Sequence, residues 1–140
     1  MILAALALVQ FFERVVHQEQ PFAAATRLAE RLGAKASDGG DWRRFEGEDF
    51  VVELGPYFGR TPQKIVIVKR AANPELAAAY VQQIFAALPA VPDPRPSLEV
   101  TSYRGTLVIG RRPVGLEVGR VDATVTVTLV AGGPRILVPL

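Results

Sequence analysis

Few side chains in this chain could do covalent chemistry, and their spacing narrows the choice further. The acidic group Glu46, Glu48, Asp49 and Glu53, followed by Lys64, comes nearest to a catalytic constellation. Metal-dependent nucleases hold Mg²⁺ on such carboxylates and use a lysine to stabilise developing charge. Their usual acidic–x–Lys spacing on the second strand is missing, because Lys64 follows Pro62 and Gln63. His17 has no second histidine and no cysteine to join it in a metal site. It reads as a surface residue that favours the negative end of its helix. Ser37, Ser97 and Ser102 lack a GxSxG-like context. The glycines at 105, 110, 115 and 119 carry neither the P-loop nor the dinucleotide fingerprint and read as hairpin punctuation. Without cysteine there is no disulfide framework and no thiolate metal site. The expectation is a protein without catalytic residues, cofactor or metal, whose function lies in surfaces.

Binding chemistry is better represented. Thirteen of the sixteen basic residues are arginine, which suits bidentate contacts and interfaces better than lysine does. Arg104, Arg111, Arg112 and Arg120 fall with Tyr103 in one hairpin region. Nucleic-acid modules interleave several aromatics with such a patch, and here only Tyr103 is available. A solvated hairpin tip is the preferred reading. The loop GPYFGRTP adds two exposed-looking aromatics, Tyr57 and Phe58, next to Arg60. A net charge of +2, spread without runs, excludes a nucleic-acid tail.

These residues need elements to hold them. At 140 residues, about half apolar, the chain makes one domain with a sizeable core. The apolar run Ile2–Phe12 lacks a preceding basic residue and a cleavage site and is too short to cross a bilayer. Its helical spacing predicts an amphipathic helix over Ile2–Gln18, with an apolar arc wide enough for deep packing or a second subunit. Pro21 opens a second helix that Gly33 caps, so residues 1–33 form an N-terminal helical region. Lys35–Asp41 reads as turn material. Trp42–Glu46 and Asp49–Leu54 read as two strands, or one bulged strand, around Gly47. KIVIVKR is apolar on both faces over Ile65–Val68, as in a central strand. Asn73, Pro74 and Glu75 start a helix that runs to about Leu88, with Leu76, Ala79, Tyr80, Ile84 and Leu88 as its buried stripe. Residues 89–97 form a stiff proline-rich crossover. Leu98–Tyr103 and Thr106–Ile109 are strand-like around Arg104–Gly105. Val121–Leu129 alternates as one long strand, with Thr124, Thr126 and Thr128 facing away from the core. Gly132–Pro134 turns into a short terminal strand. The sum is an α+β fold: a mixed, mainly antiparallel sheet of five or six strands against the N-terminal helices and one central helix.

The order of these elements resembles a known family. DFVVELGPYFGRTPQKIVIVKR, the helix AAAYVQQIFAALPA and SLEVTSYRGTLVIGRRPVGLEVGRVDATVTVTLVA look like the small neck proteins of tailed phages, of the tail-terminator and minor-capsid (tail-completion) type. The family shows a strand–loop–strand with a Gly–x–x–Pro-like loop, an A–x3–V–x2–I–x3–L helix, and a Gly-Arg hairpin before an alternating strand. Gly55–Pro62, Ala77–Leu88 and Gly110–Leu129 match these in character. The resemblance implies a structural virion protein, assembled in the host cytoplasm into a homo-oligomeric ring, typically a hexamer. Such a ring caps the tail tube, contacts the tail-tube protein and the head-side connector proteins, and lets DNA pass through its lumen. No catalytic residue, cofactor or membrane contact comes with the family. On this reading Tyr57, Phe58, Arg60, Arg111 and Arg112 are interface or lumen residues. The alternative is a stand-alone α+β binding module for a protein or a small apolar ligand.

Overall fold

The computed structural model describes residues 2–89 and 101–132, with side chains from Leu8 onward in the first helix. The crossover beyond Pro89, the start of the Leu98–Tyr103 strand and the terminal strand after Gly132 lie outside the described residues. Three helices form one layer: α1 (Ile2–Val16), α2 (Pro21–Glu30) and α3 (Pro74–Ala86). In α1 the spacing of Leu8, Phe11, Phe12, Val15 and Val16 puts all five in the core. Pro21 opens α2 at a position where its missing N–H costs nothing, and Phe22, Ala25, Leu28 and Ala29 are buried. The Asn73 side chain caps α3 by accepting the Leu76 N–H at 2.9 Å.

The second layer is a seven-stranded sheet, antiparallel at every pairing, in the order β1-β2-β3-β6-β9-β8-β7. Its strands are β1 (Lys35–Gly39), β2 (Trp42–Glu46), β3 (Phe50–Leu54), β6 (Lys64–Arg70), β7 (Ser102–Ile109), β8 (Arg112–Val121) and β9 (Thr124–Ala131). A two-stranded hairpin, β4 (Tyr57–Phe58) with β5 (Thr61–Pro62), interrupts the chain between β3 and β6. KIVIVKR is the fourth strand of seven, as its two-sided apolar pattern predicts. Strand register makes the core legible. Phe45, Val52, Ile67, Val127, Val118 and Tyr103 form one cross-strand row on the helix side. The opposite face carries the row Arg44, Glu53, Val66, Thr128, Glu117 and Arg104. The sheet therefore buries one side under helices, while the other side is a wall of valine, threonine and paired charges.

Several boundaries differ from the sequence expectation. Lys35–Gly39 is an edge strand and not turn material; its first four residues are exposed, so no alternation marks them. Gly47 separates two strands, with its N–H donating to the Phe50 carbonyl across a tight turn. Residues 102–109 form one unbroken strand through Gly105, over which the Tyr103 ring folds. The long alternating strand is shorter than expected. Val121 ends β8 and is 75 % exposed, and Asp122–Ala123 makes a two-residue turn into β9. On α3 the buried stripe is Ala77, Tyr80, Val81 and Ile84, whereas Leu76 is 53 % exposed and Ala79 faces outward. Tyr80, Ile84 and Leu88 of the expected stripe are buried, and Ala77 and Val81 take the places expected of Leu76 and Ala79.

Candidate functional site

The β4–β5 hairpin holds the first group of expected interface residues. Asp41 accepts the Tyr57 N–H through its carbonyl at 2.8 Å, and the Tyr57 hydroxyl pairs with Thr26 Oγ1 at 2.8 Å. Tyr57 is thus half-buried and ties the hairpin to α2. Its neighbour has the opposite fate: Phe58 points outward and is 83 % exposed. Gly59, at φ +65°, closes the turn, and Arg60 is exposed beside it. The buried Pro62 anchors the far side of the hairpin. Phe58 is the most exposed of four large apolar side chains that face solvent among the described residues, the others being Leu76, Val108 and Val121.

The second group sits on the β7–β8 turn. Gly110 and Arg111 both have positive φ, 59° and 67°, the pattern of a two-residue turn matched to strand twist. Gly110 packs against the Glu19 carbonyl so closely that a Cβ has no room. The tip is thereby docked on the turn between α1 and α2, with Arg111 and Arg112 exposed.

A cavity lies between the two hairpins, and of the five expected residues Arg112 lines it. A groove of about 470 Å³ lies between the α1–α2 turn, β5 and the β7–β8 hairpin. Phe22, Ile109 and Val114 supply its buried apolar floor, and Glu19, Thr61, Gln63 and Arg112 stand around it. The Glu19–Phe22 segment completes this wall, although in the sequence it shows only a helix break at Pro21. Glu19, Arg60, Arg111 and Arg112 enter no ion pair among the described residues.

The rest of the basic patch is dispersed. Arg104 pairs with Glu117 at 2.5 Å on the open sheet face, and Arg120 donates to the Asp122 carbonyl at 3.2 Å. Arg120 lies eight residues along β8 from Arg112, roughly 26 Å at about 3.3 Å per residue. A second concavity, of about 650 Å³, opens on that face between Lys64, Val66, Arg104, Glu117 and Thr128.

The acidic group does not converge either. Arg44 draws off Glu46 at 3.8 Å, and Glu53 stands on the open face. Among the described residues no three carboxylate or imidazole groups lie together as a metal site. Asp49 instead accepts from Lys69, whose Nζ is buried and also donates to the Arg70 carbonyl at 2.9 Å. Lys69 follows Ile65 and Ile67 at period two, which places it on the core side; that signal was available in the sequence. Next to the pair, the Tyr80 hydroxyl is buried without a partner among the described residues, as is Asp49 Oδ1. Burial, and then the charge of Asp49, push the Tyr80 phenol well above its ordinary range. His17 is exposed at the end of α1, where its backbone N–H donates to the Glu13 carbonyl, and its Nε2 lies 3.0 Å from the Ala87 carbonyl at the end of α3, joining the two helices. Comparison with protein-family models, with curated proteins and with solved structures finds no match to this chain.

Proposed function

We propose that the chain is a structural subunit of a tailed-phage neck, of tail-terminator type, which closes with copies of itself into a ring that caps the tail tube and joins it to the head. The carrying observation is Phe58: an apolar side chain 83 % exposed, on a hairpin tied to α2 by Tyr57, whose strand partner Thr61 lines the same groove as Arg112. Aromatic and arginine side chains supply most of the affinity at protein interfaces, and a pinned loop loses little entropy on binding. The one-sided sheet supports the same reading, because the concavity on its open face is lined by valine, threonine and the paired Arg104 and Glu117, with no metal-site cluster among the described residues. A ring needs heterologous contacts that close on themselves. The subunits would number six, and the exposed arginines at one end would meet DNA phosphates passing through the lumen.

The groove favours a second reading. Its volume and its apolar floor with a few polar groups fall within the range of small-ligand sites, so a stand-alone binding module is the alternative. Electron microscopy of negatively stained protein, alone and mixed with the tail-tube protein, separates the two. Rings that cap tube ends are expected; dispersed particles that leave tube ends bare contradict the neck role.

A further inference from the structure

The exposed hairpin and the groove are complementary in chemistry, and each copy of the chain carries both. We propose that they meet between copies: Phe58 of one subunit enters the groove of a second, against Phe22, Ile109 and Val114, while Arg60 pairs with Glu19 on its rim. The inference rests on the ring reading for the second copy, and it names the contact that ring would use.

Phe58 does not fill its own groove. Its register partner Thr61 lines that groove, yet the Phe58 side chain remains 83 % exposed. The floor residues Phe22, Ile109 and Val114 are themselves almost fully buried, so an incoming ring meets only their outermost atoms together with the groove's other lining residues, among them Pro21, Pro113 and Ala131. Charge selects the same pairing. Arg60 beside the knob and Glu19 beside the hole are exposed, opposite in sign and without an ion pair among the described residues. Glu19 is the acidic residue among those lining the groove and Arg112 the basic one. The knob is also preorganised, because Tyr57 fixes the hairpin to α2 and to the Asp41 carbonyl. A knob and a hole at different places on one chain make a contact that repeats from copy to copy, and it gives a ring where the rotation closes.

The test is sedimentation of the full chain and three variants, with thermal melts to show that each is folded. Phe58 and Arg60 are exposed, so Phe58→Ala and Arg60→Glu leave the fold intact while each raises the subunit dissociation constant about ten-fold or more. Combining Arg60→Glu with Glu19→Arg restores the opposite charges and brings association back to within about three-fold of the unsubstituted chain. If the unsubstituted chain forms rings and all three variants form them equally well, this contact is overturned and the ring closes by another surface. A dimer that Phe58→Ala dissolves and the charge swap restores supports the contact and overturns the ring. A monomer at high micromolar concentration overturns both.

Discussion

At the scale of single residues, the Asp49, Lys69 and Tyr80 cluster is where polar groups cost stability. The Tyr80 hydroxyl is buried with no partner among the described residues, so Tyr80→Phe should stabilise the protein by about 1 kcal/mol in a denaturant titration. A loss of stability on that change would mean the hydroxyl is bonded. Its raised pKa carries a pH signature. Below the ordinary phenol value of 10.0 both states are protonated and the effect is silent. Above it the unfolded chain loses the proton while the folded one keeps it, so stability falls as pH rises further. Tyr80→Phe should remove that part of the alkaline decline. Lys69→Met leaves Asp49 partly buried without its cation and should cost about 2 kcal/mol, discounted because Asp49 is a third exposed in its side chain. Arg111 holds a left-handed backbone at φ +67°, which costs a non-glycine residue about 1 kcal/mol. Arg111→Gly should raise the melting temperature. If Arg111 also serves an interface or the lumen, the same change weakens that role, and the two readouts part. The sequence makes Phe58 and the arginines visible by residue type. It hides the inward turn of Tyr57, because nothing in GPYFGRTP says which of two adjacent aromatics finds the Thr26 hydroxyl.

At the scale of elements, strong patterns are legible and context-dependent ones are not. The start of α3 can be read directly, since Asn73, Pro74 and Glu75 each satisfy a different need of a helix N-terminus. Asn73→Ala should cost about 1 kcal/mol by removing the acceptor of the Leu76 N–H, measurable as a shift in denaturation midpoint. The strand β6 is legible for a different reason: its apolar run marks a place in the middle of the sheet, although only Ile65 and Ile67 are fully buried and Val66 and Val68 lie half-buried on the open face. Strand β1 is illegible because an edge strand with both faces in water has no hydrophobic period, and its pairing to β2 alone defines it. The β8–β9 turn is hidden because Asp122 takes a positive φ where glycine or asparagine is the usual sign. The groove is invisible in sequence for a topological reason. Its walls come from the α1–α2 turn, β5 and the β7–β8 hairpin, which only the folded sheet brings together.

At the scale of the whole molecule, helices seal one face of the sheet and leave the other as a wall of Val66, Val130 and the β9 threonines. Interior substitutions on the sealed side therefore act on folding: Leu116→Ala, at a fully buried position, should cost about 3 kcal/mol in equilibrium unfolding. On the ring proposal, substitutions at the Phe58 end act on association and leave the fold of the subunit nearly unchanged. This division is what a ring subunit requires, with a rigid wall that carries contacts at its margin. The most direct measurement is the mass of the full chain in solution at micromolar concentration, by light scattering after size exclusion. A mass about six times the 15.1 kDa subunit is the expected result; a stable monomer across the concentration range would contradict the ring.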